Sequence, residues 1–456
     1  MAPVSLSFPA GLFRQGTQLQ AAGRWNDNQY WRFAEGVIRP MKGWATGLAG
    51  TLAGTPRAAH AWLDNDEAKF AAFGTTTKLY AHDGGNALDD ITPAGVTTVT
   101  NWSLDNFGEV LIACDGENIF DWQPGGGGDA VVIANAPDAK SIFVTEERFL
   151  VALGVDGDPR QVAWCDQEAR TVWTPTATNQ AGDLPIQATG LIVCGLRIRG
   201  SSLIFTTEGL HRLEYVGPPD VYSLQHIANG CGIIGQHAKI GVGSAAYWMG
   251  KGSFWSFAGY PEQIPCSIAD DVFSNINTTH QSKCWCEYDP VFGEVWFYYP
   301  RGNATECSHA AIYSTRENHW NHTPMARLCG FGPDVFGWPL RVTSAGAMLK
   351  HETGWAFDGE DRKLISGPIQ LENGDRAVFL DEIWPDEKTQ GDCQVYLHVR
   401  DYPQATETTL GPYTAADRMG VMTTARQIRF ELRMASNKTD ARIGSWRAIL
   451  KTRGRY

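Results

Sequence analysis

Cys284, Cys286, Cys307 and His309 are residue types that hold zinc, and they stand as C-x-C followed further on by C-x-H. Closed zinc sites draw paired ligands from C-x2–4-C turns. Residues two apart on a strand share a face, so the simpler reading of CWCEY is two small thiols buried on one side of a strand. GCGIIG at 230–235 spells G-x-G-x-x-G. A dinucleotide loop must end a strand, open a helix and be followed by an acid about 20 residues on. Here QHAKIGVGS follows, turn and strand in character, and residues 250–256 hold no acid. MGKGS has Ala245 where a phosphate loop needs its first Gly. The carboxylate pairs Asp89–Asp90, Glu146–Glu147 and Asp270–Asp271 are sequence neighbours. On a strand, neighbours point to opposite faces, so none is an acid/base pair by itself. No S-x-D-x-G-x-T-W turn or G-x-S-x-G elbow occurs. The expectation is a non-enzyme with no catalytic, cofactor-binding or metal-binding residues and no cofactor.

The elements that would position such residues are almost all strands. EVWFYYP at 294–300 and AAYWMG at 245–250 are short aromatic runs closed by Pro or Gly. In RQIRFELRM, Ile428, Phe430, Leu432 and Met434 alternate with Arg429, Glu431 and Arg433, which predicts a half-buried strand. The best helical candidate is SIADDVFSNIN at 267–277, with Ser267 as its cap.

KLYAHDG, NIFDWQPG, GLHRLEYVG and SFWSFAGYP share one short pattern, a large residue two places before another and then a turn. Aligned on the leading residue, the pattern falls at Leu79, Ile119, Val162, Leu210, Phe254, Ile312 and Trp355, with gaps of 40, 43, 48, 44, 58 and 43 residues. That period is the mark of a β-propeller, whose sheets cover one another's faces by stacking in a ring. The fold expected is all-β: a propeller of about seven blades (six to eight remain open) over residues 58–365, an irregular pair of β-sandwiches being the alternative. The long gap suggests an insertion near NATECSHA. Residues 1–57 lack periodicity and read as an extended N-terminal arm and docking segment that needs a partner surface; its deletion should leave soluble, β-rich protein. Residues 366–456 read as a C-terminal β-sandwich-like region, part of which returns to complete the ring.

Of 456 residues, 19% are charged and 43% hydrophobic, enough for a large core and too few charges for disorder. No apolar run reaches membrane-spanning length, and MAPVSLSFPAGLF lacks the build of a secretion leader. The ten Cys are irregularly spaced, as in reduced, buried thiols. The net charge of −12 is uneven: residues 417–456 hold ten Lys/Arg against three acids, +7, leaving −19 for the rest. The basic end is either a solvated strand face or a contact with an acidic neighbouring subunit. A duplex-binding protein shows a broader basic excess.

FPAGLFRQGTQLQAAGRWNDNQYWRFAEGVIRPMKGW at 8–44 resembles the opening of a group of phage virion proteins, matching at Phe8, Pro9, Gly11, Arg14, Gly16, Thr17, Gly23, Arg24, Trp25, Arg39, Pro40, Gly43 and Trp44. YWMGKGSFWSFAGYPEQIPCSIADDVFSNIN at 247–277, EVWFYYP, ENHWN and GSWRAILKTRGRY are similar to their central and closing segments. These are the tail nozzle, or tail hub (DNA-stabilisation), proteins of short-tailed bacteriophages. NQYWRF departs from the family's more arginine-rich form. The resemblance implies a homo-hexameric ring in the virion tail, assembled in the host bacterial cytoplasm. It also implies portal and adaptor (head-to-tail connector) proteins and tail fibres or spikes as neighbours, with double-stranded DNA passing through the lumen without specific binding. No site residues carry over. The alternative is a propeller glycan-binding or glycan-cleaving tail-tip protein.

Overall fold

The computed structural model describes residues 3–452 except 86, 188–189, 371–375, 390, 435–437 and 439–440; the basic residues Arg453 and Arg455 lie outside the described residues. The protein is an all-β propeller of seven four-stranded antiparallel blades. The innermost strands of blades 1 to 6 are Pro56–Leu63, Ser103–Phe107, Ser141–Val144, Ile192–Ile198, Lys239–Val242 and Trp285–Asp289; that of blade 7 is Cys329–Phe331. Each packs beside the next, and the last packs against the first, so the ring is closed. No described helix is long and apolar enough to cross a membrane.

The apolar clusters lie mostly between blades. Trp62 and Leu79 of blade 1 pack with Trp102, Leu111 and Phe120 of blade 2, and Phe143, Val162 and Trp164 of blade 3 with Ile204 and Tyr222 of blade 4. Blade 7 meets blade 1 through Leu340, Val342, Phe73 and Tyr80. A twisted sheet with two apolar faces needs a neighbour on each, and a closed ring supplies both. The repeated pattern now has a cause. Leu79, Ile119, Val162, Leu210, Phe254 and Ile312 all sit on the third strand of their blades. There an inward side chain is followed by the turn to the outer strand. Trp355 breaks the series: the third strand of blade 7 is Ala347–His351.

Four further expectations need correction. The ring is closed from the N-terminal side, not by the C-terminal region: Trp44–Thr51 is the fourth strand of blade 7 and pairs with Ala347–His351. The extra length before Ile312 lies mainly in the connection from blade 5 to blade 6, which holds the helix Ala269–Asn275 and the 3-10 turn Thr278–Lys283, and to a smaller extent in the loop at NATECSHA, between Glu294–Tyr299 and His309–Ser314. Ile268, not Ser267, precedes that helix as its cap; the Ser267 hydroxyl instead donates to the Leu12 carbonyl at 2.6 Å. Finally, Gln427–Met434 is buried on both faces, including Arg429 and Glu431, because it is the central strand of a covered sheet.

That sheet belongs to a β-sandwich flanking the ring. Its five strands run Trp25–Gln29, Arg362–Ser366, Gln427–Met434, Cys393–Arg400 and Thr408–Thr414. The partner sheet runs Val4–Leu6, Trp446–Thr452, Val378–Trp384 and Met419–Ala425. Leu364, Leu380, Val395, Leu397, Phe430 and Leu432 share one cluster with blades 4 to 6. The N-terminal segment therefore finds its partner surface within its own chain: it supplies one strand to each sandwich sheet, then the hairpin Trp31–Ala34/Val37–Pro40, then the closing strand. Leu12 and Asn28 fasten it to blade 6 at Trp320 and Asn321. Gly43 has to be glycine: a Cβ there would lie 2.1 Å from the Ala356 carbonyl oxygen.

Candidate functional site

The innermost strands enclose an axis, and the axis is not an open pore. A cavity of about 660 Å³ lies at the end where second strands turn into third strands. Another of about 590 Å³ lies at the opposite end. Gln236 and His237 line both. They arrive from the connection between blades 4 and 5 and meet Asn101, which precedes blade 2. In a ring of seven that is the opposite wall. Asn101 Nδ2 donates to Gln236 Oε1 at 2.9 Å. His237 Nε2 lies 3.1 Å from Asn101 Oδ1 and 2.8 Å from the Trp102 carbonyl oxygen. Burial, then Lys239, pushes the His237 pKa down to about 4, so the ring is neutral at pH 7 and donates one hydrogen bond.

GCGIIG positions this plug. Gly230 takes a φ of +80°, and a Cβ on Gly232 or Gly235 would lie 2.3 Å from the Thr207 carbonyl oxygen or 2.7 Å from that of Ser282. The glycines let the connection press against the backbones of its neighbours and aim Gln236 and His237 inward. No helix or phosphate cradle follows.

In the larger cavity Glu306 accepts from Arg57 at 2.6 and 3.0 Å and from Lys283 at 2.6 Å. Burial works to raise its pKa, but the Arg57 and Lys283 bonds outweigh it and hold the carboxyl below its ordinary range. An ionised carboxylate clasped by two cations is neither a general acid nor a free base. At the far end Glu146 accepts from the Gly200 N–H at 3.0 Å and Asp105 from that of Val144 at 2.8 Å. The axis is a polar staple tying blades together.

The other sequence candidates are placed as follows. Cys284 and Cys307 are buried, Cys286 and His309 half-buried. Burial raises all three thiol pKa values, so they are protonated, and Cys307 donates to the Lys283 carbonyl at 3.3 Å. Among the described residues no three His, Cys, Asp or Glu side chains converge as a metal set. Asp90 pairs with Lys78 at 2.7 Å, and Asp271 with Arg301 at 2.7 Å and Arg14 at 2.9 Å. All 17 Trp are buried or half-buried.

Sequence reasoning missed the ion network beneath the hairpin. Arg32, 2% exposed, donates to Glu294 at 2.8 and 2.9 Å and to Glu352 at 2.9 and 3.1 Å. Beside it Arg341 donates to Glu287 at 2.9 Å. No motif marks either arginine.

Charge divides by face. The turns joining first to second and third to fourth strands hold 13 Asp/Glu against 4 Arg/Lys, a net of −9. The opposite turns and connections hold 9 against 7, a net of −2. The turns on one face of the ring are therefore the more acidic.

No family model and no curated protein matches the chain. Among solved structures it is similar to β-propellers. The Cps50 (Swd1) β-propeller domain from Myceliophteria thermophila is 10% identical with a TM-score of 0.43, over 67% of this chain and 99% of that one. Streptogramin B lyase is 10% identical with a TM-score of 0.46, over 66% and 95%. BamB from Moraxella catarrhalis is 8% identical with a TM-score of 0.40, over 68% and 98%. At such identity the likeness is one of fold alone.

Proposed function

We propose that this chain is a structural, non-enzymatic subunit of the virion tail of a short-tailed bacteriophage. In this reading it is a nozzle or hub protein, made in the host cytoplasm and assembled as a ring, six copies in the family it resembles. The ring sits below the portal and adaptor, neighbours the fibres or spikes, retains packaged DNA and lets it pass during ejection. The observation that carries the reading is the one-sided charge of the propeller. With Asn101, Gln236 and His237 bridged across its axis, the propeller cannot thread a duplex, so the conduit runs between subunits. A wall of net −9 repels phosphates and keeps DNA from adhering, whereas a basic wall would hold it by counterion release. The resemblance residues add support. Gly11, Arg14, Trp25, Gly43 and Trp44 sit at the seam that fastens the sandwich and closes the ring.

The test is cryo-electron microscopy of the virion that carries this chain. The expected result is seven-bladed density in a ring at the distal tail, with the acidic turns toward the lumen. Absence of the chain from the particle, or a lumen lined by Lys and Arg, refutes the proposal.

A further inference from the structure

Three carboxylates crowd one guanidinium beneath the hairpin. Asp289 ends the innermost strand of blade 6 and stands directly opposite Glu294 on the next strand; like charges so placed repel. Glu352 follows the third strand of blade 7 and reaches the same point. Arg32 of the hairpin donates four of its five N–H groups to Glu294 and Glu352. Its Nη2 spends both protons there, and Asp289 Oδ2 lies 3.8 Å from that nitrogen, beyond hydrogen-bond reach. Asp289 is 1% exposed, its Oδ1 accepts from the Val291 N–H at 2.9 Å, and its Oδ2 has no partner among the described residues. The neighbouring cations are engaged elsewhere. Arg39 of the hairpin lies over the Phe292 ring and 3.9 Å from Glu35. Arg341 of blade 7 is spent on Glu287, and Arg327 donates to His351 at 3.0 Å. An ionised carboxylate buried with a bare oxygen costs far more than a neutral carboxyl in the same place.

We propose that the seam is a pH-sensitive latch: Asp289 keeps its proton while the hairpin lies closed over it and gives that proton to water when the hairpin lifts. Burial, against the pull of Arg32 and helped by Glu352 and Glu294, holds the Asp289 pKa above its ordinary range. Lifting the hairpin exposes the carboxyl to solvent, where it ionises at about pH 4. Above that, each unit of pH favours the open seam by up to about tenfold, until the pH passes the closed-state value and the proton is lost in both states. The latch is therefore firmest in acid and loosens as the pH rises. His319 packs against Phe33 of the same hairpin with ring centroids 5.8 Å apart, and burial lowers its pKa, so it pushes the opposite way and has to be separated from Asp289 in any test. The latch does not depend on the tail reading.

The experiment uses the full chain labelled with 13Cγ-aspartate, the Asp289 signal being assigned by its loss in Asp289→Asn and, should that variant not fold, in Asp289→Glu. The expected result is a protonated Asp289 signal that titrates above the ordinary aspartate range. Hydrogen exchange of the Trp31–Ala34 amides, corrected for the intrinsic rate, is then compared between the intact chain and Asp289→Asn, whose amide stays neutral at every pH; the ratio removes the contribution of His319. That ratio should rise with pH by up to about tenfold per unit and level off at the Asp289 midpoint. An Asp289 signal that is ionised throughout overturns the proposal. An ionised signal that moves on adding K+ or Ca2+ overturns it in favour of a bound cation. A protonated Asp289 with a ratio that does not change with pH also overturns it, because the proton would then leave without the hairpin lifting.

Discussion

Removal of residues 1–57 should abolish the fold. The segment carries Trp44–Thr51, which pairs with Ala347–His351 through Trp44↔His351, Ala45↔Lys350, Thr46↔Leu349 and Thr51↔Ala347. Trp44, Leu48 and the adjoining Leu52 are 8%, 3% and 3% exposed. At about 1.5–3 kcal/mol for each large side chain buried, these three contribute roughly 5–9 kcal/mol. That approaches the whole stability of a typical domain, about 5–15 kcal/mol. Blade 7 would also present an unpaired edge to solvent, and blade 1 would lose the start of its first strand, Pro56 and Arg57. A milder control is Leu48→Ala, expected to cost about 2–5 kcal/mol with the fold retained. Urea unfolding followed by circular dichroism, with limited proteolysis, reads both variants. The truncated chain should show no cooperative transition and rapid cleavage within blade 7. A single cooperative transition within about 1 kcal/mol of the intact protein would refute the assignment of the closing strand.

Two more outcomes follow from buried charge. Arg32→Met leaves Glu294 and Glu352 without their shared cation and should destabilise by about 3–5 kcal/mol in urea. Adding Glu294→Gln and Glu352→Gln should restore most of that, and a loss below about 1 kcal/mol in the single variant would show that the network is slack. Stability should also fall as pH drops from 6.5 toward 4. Burial, with His226 second, holds the His211 pKa at about 4, while the unfolded chain takes up that proton near 6.5. The unfolded state therefore gains protons first, for about 2.5 kcal/mol lost by pH 4.5 at 1.36 kcal/mol per pKa unit. His211→Gln should show a correspondingly shallower fall, and an unchanged slope would count against it.

The propeller was legible because each blade repeats a local event: an inward residue on the third strand, then a turn that needs Gly, Asp or Pro. Leu79 through Ile312 carry that signal within a few residues of chain. Blade 7 breaks it because its fourth strand comes from the other end of the sequence, so nothing near Trp355 has to mark a turn into a closing strand. The N-terminal segment looked like a free arm for a related reason. Its Pro and Gly serve close approaches, such as Gly43 against Ala356 and Gly11 against His319 and Trp320, and close approach leaves no period to read.

The same distinction governs the chemistry. GCGIIG has the spacing of a nucleotide loop without its context; its glycines are fixed by the space between blades, and Gln236 and His237 follow them. Arg32 sits in an ordinary-looking WRFA hairpin, and its meaning depends on carboxylates 262 and 320 residues away. A pairing at that range leaves no spacing rule for a reader of one chain. The axial plug, the ion network and the closing strand all join parts of the chain that lie far apart in sequence. Each holds together parts of the fold that no local sequence pattern would bring into contact.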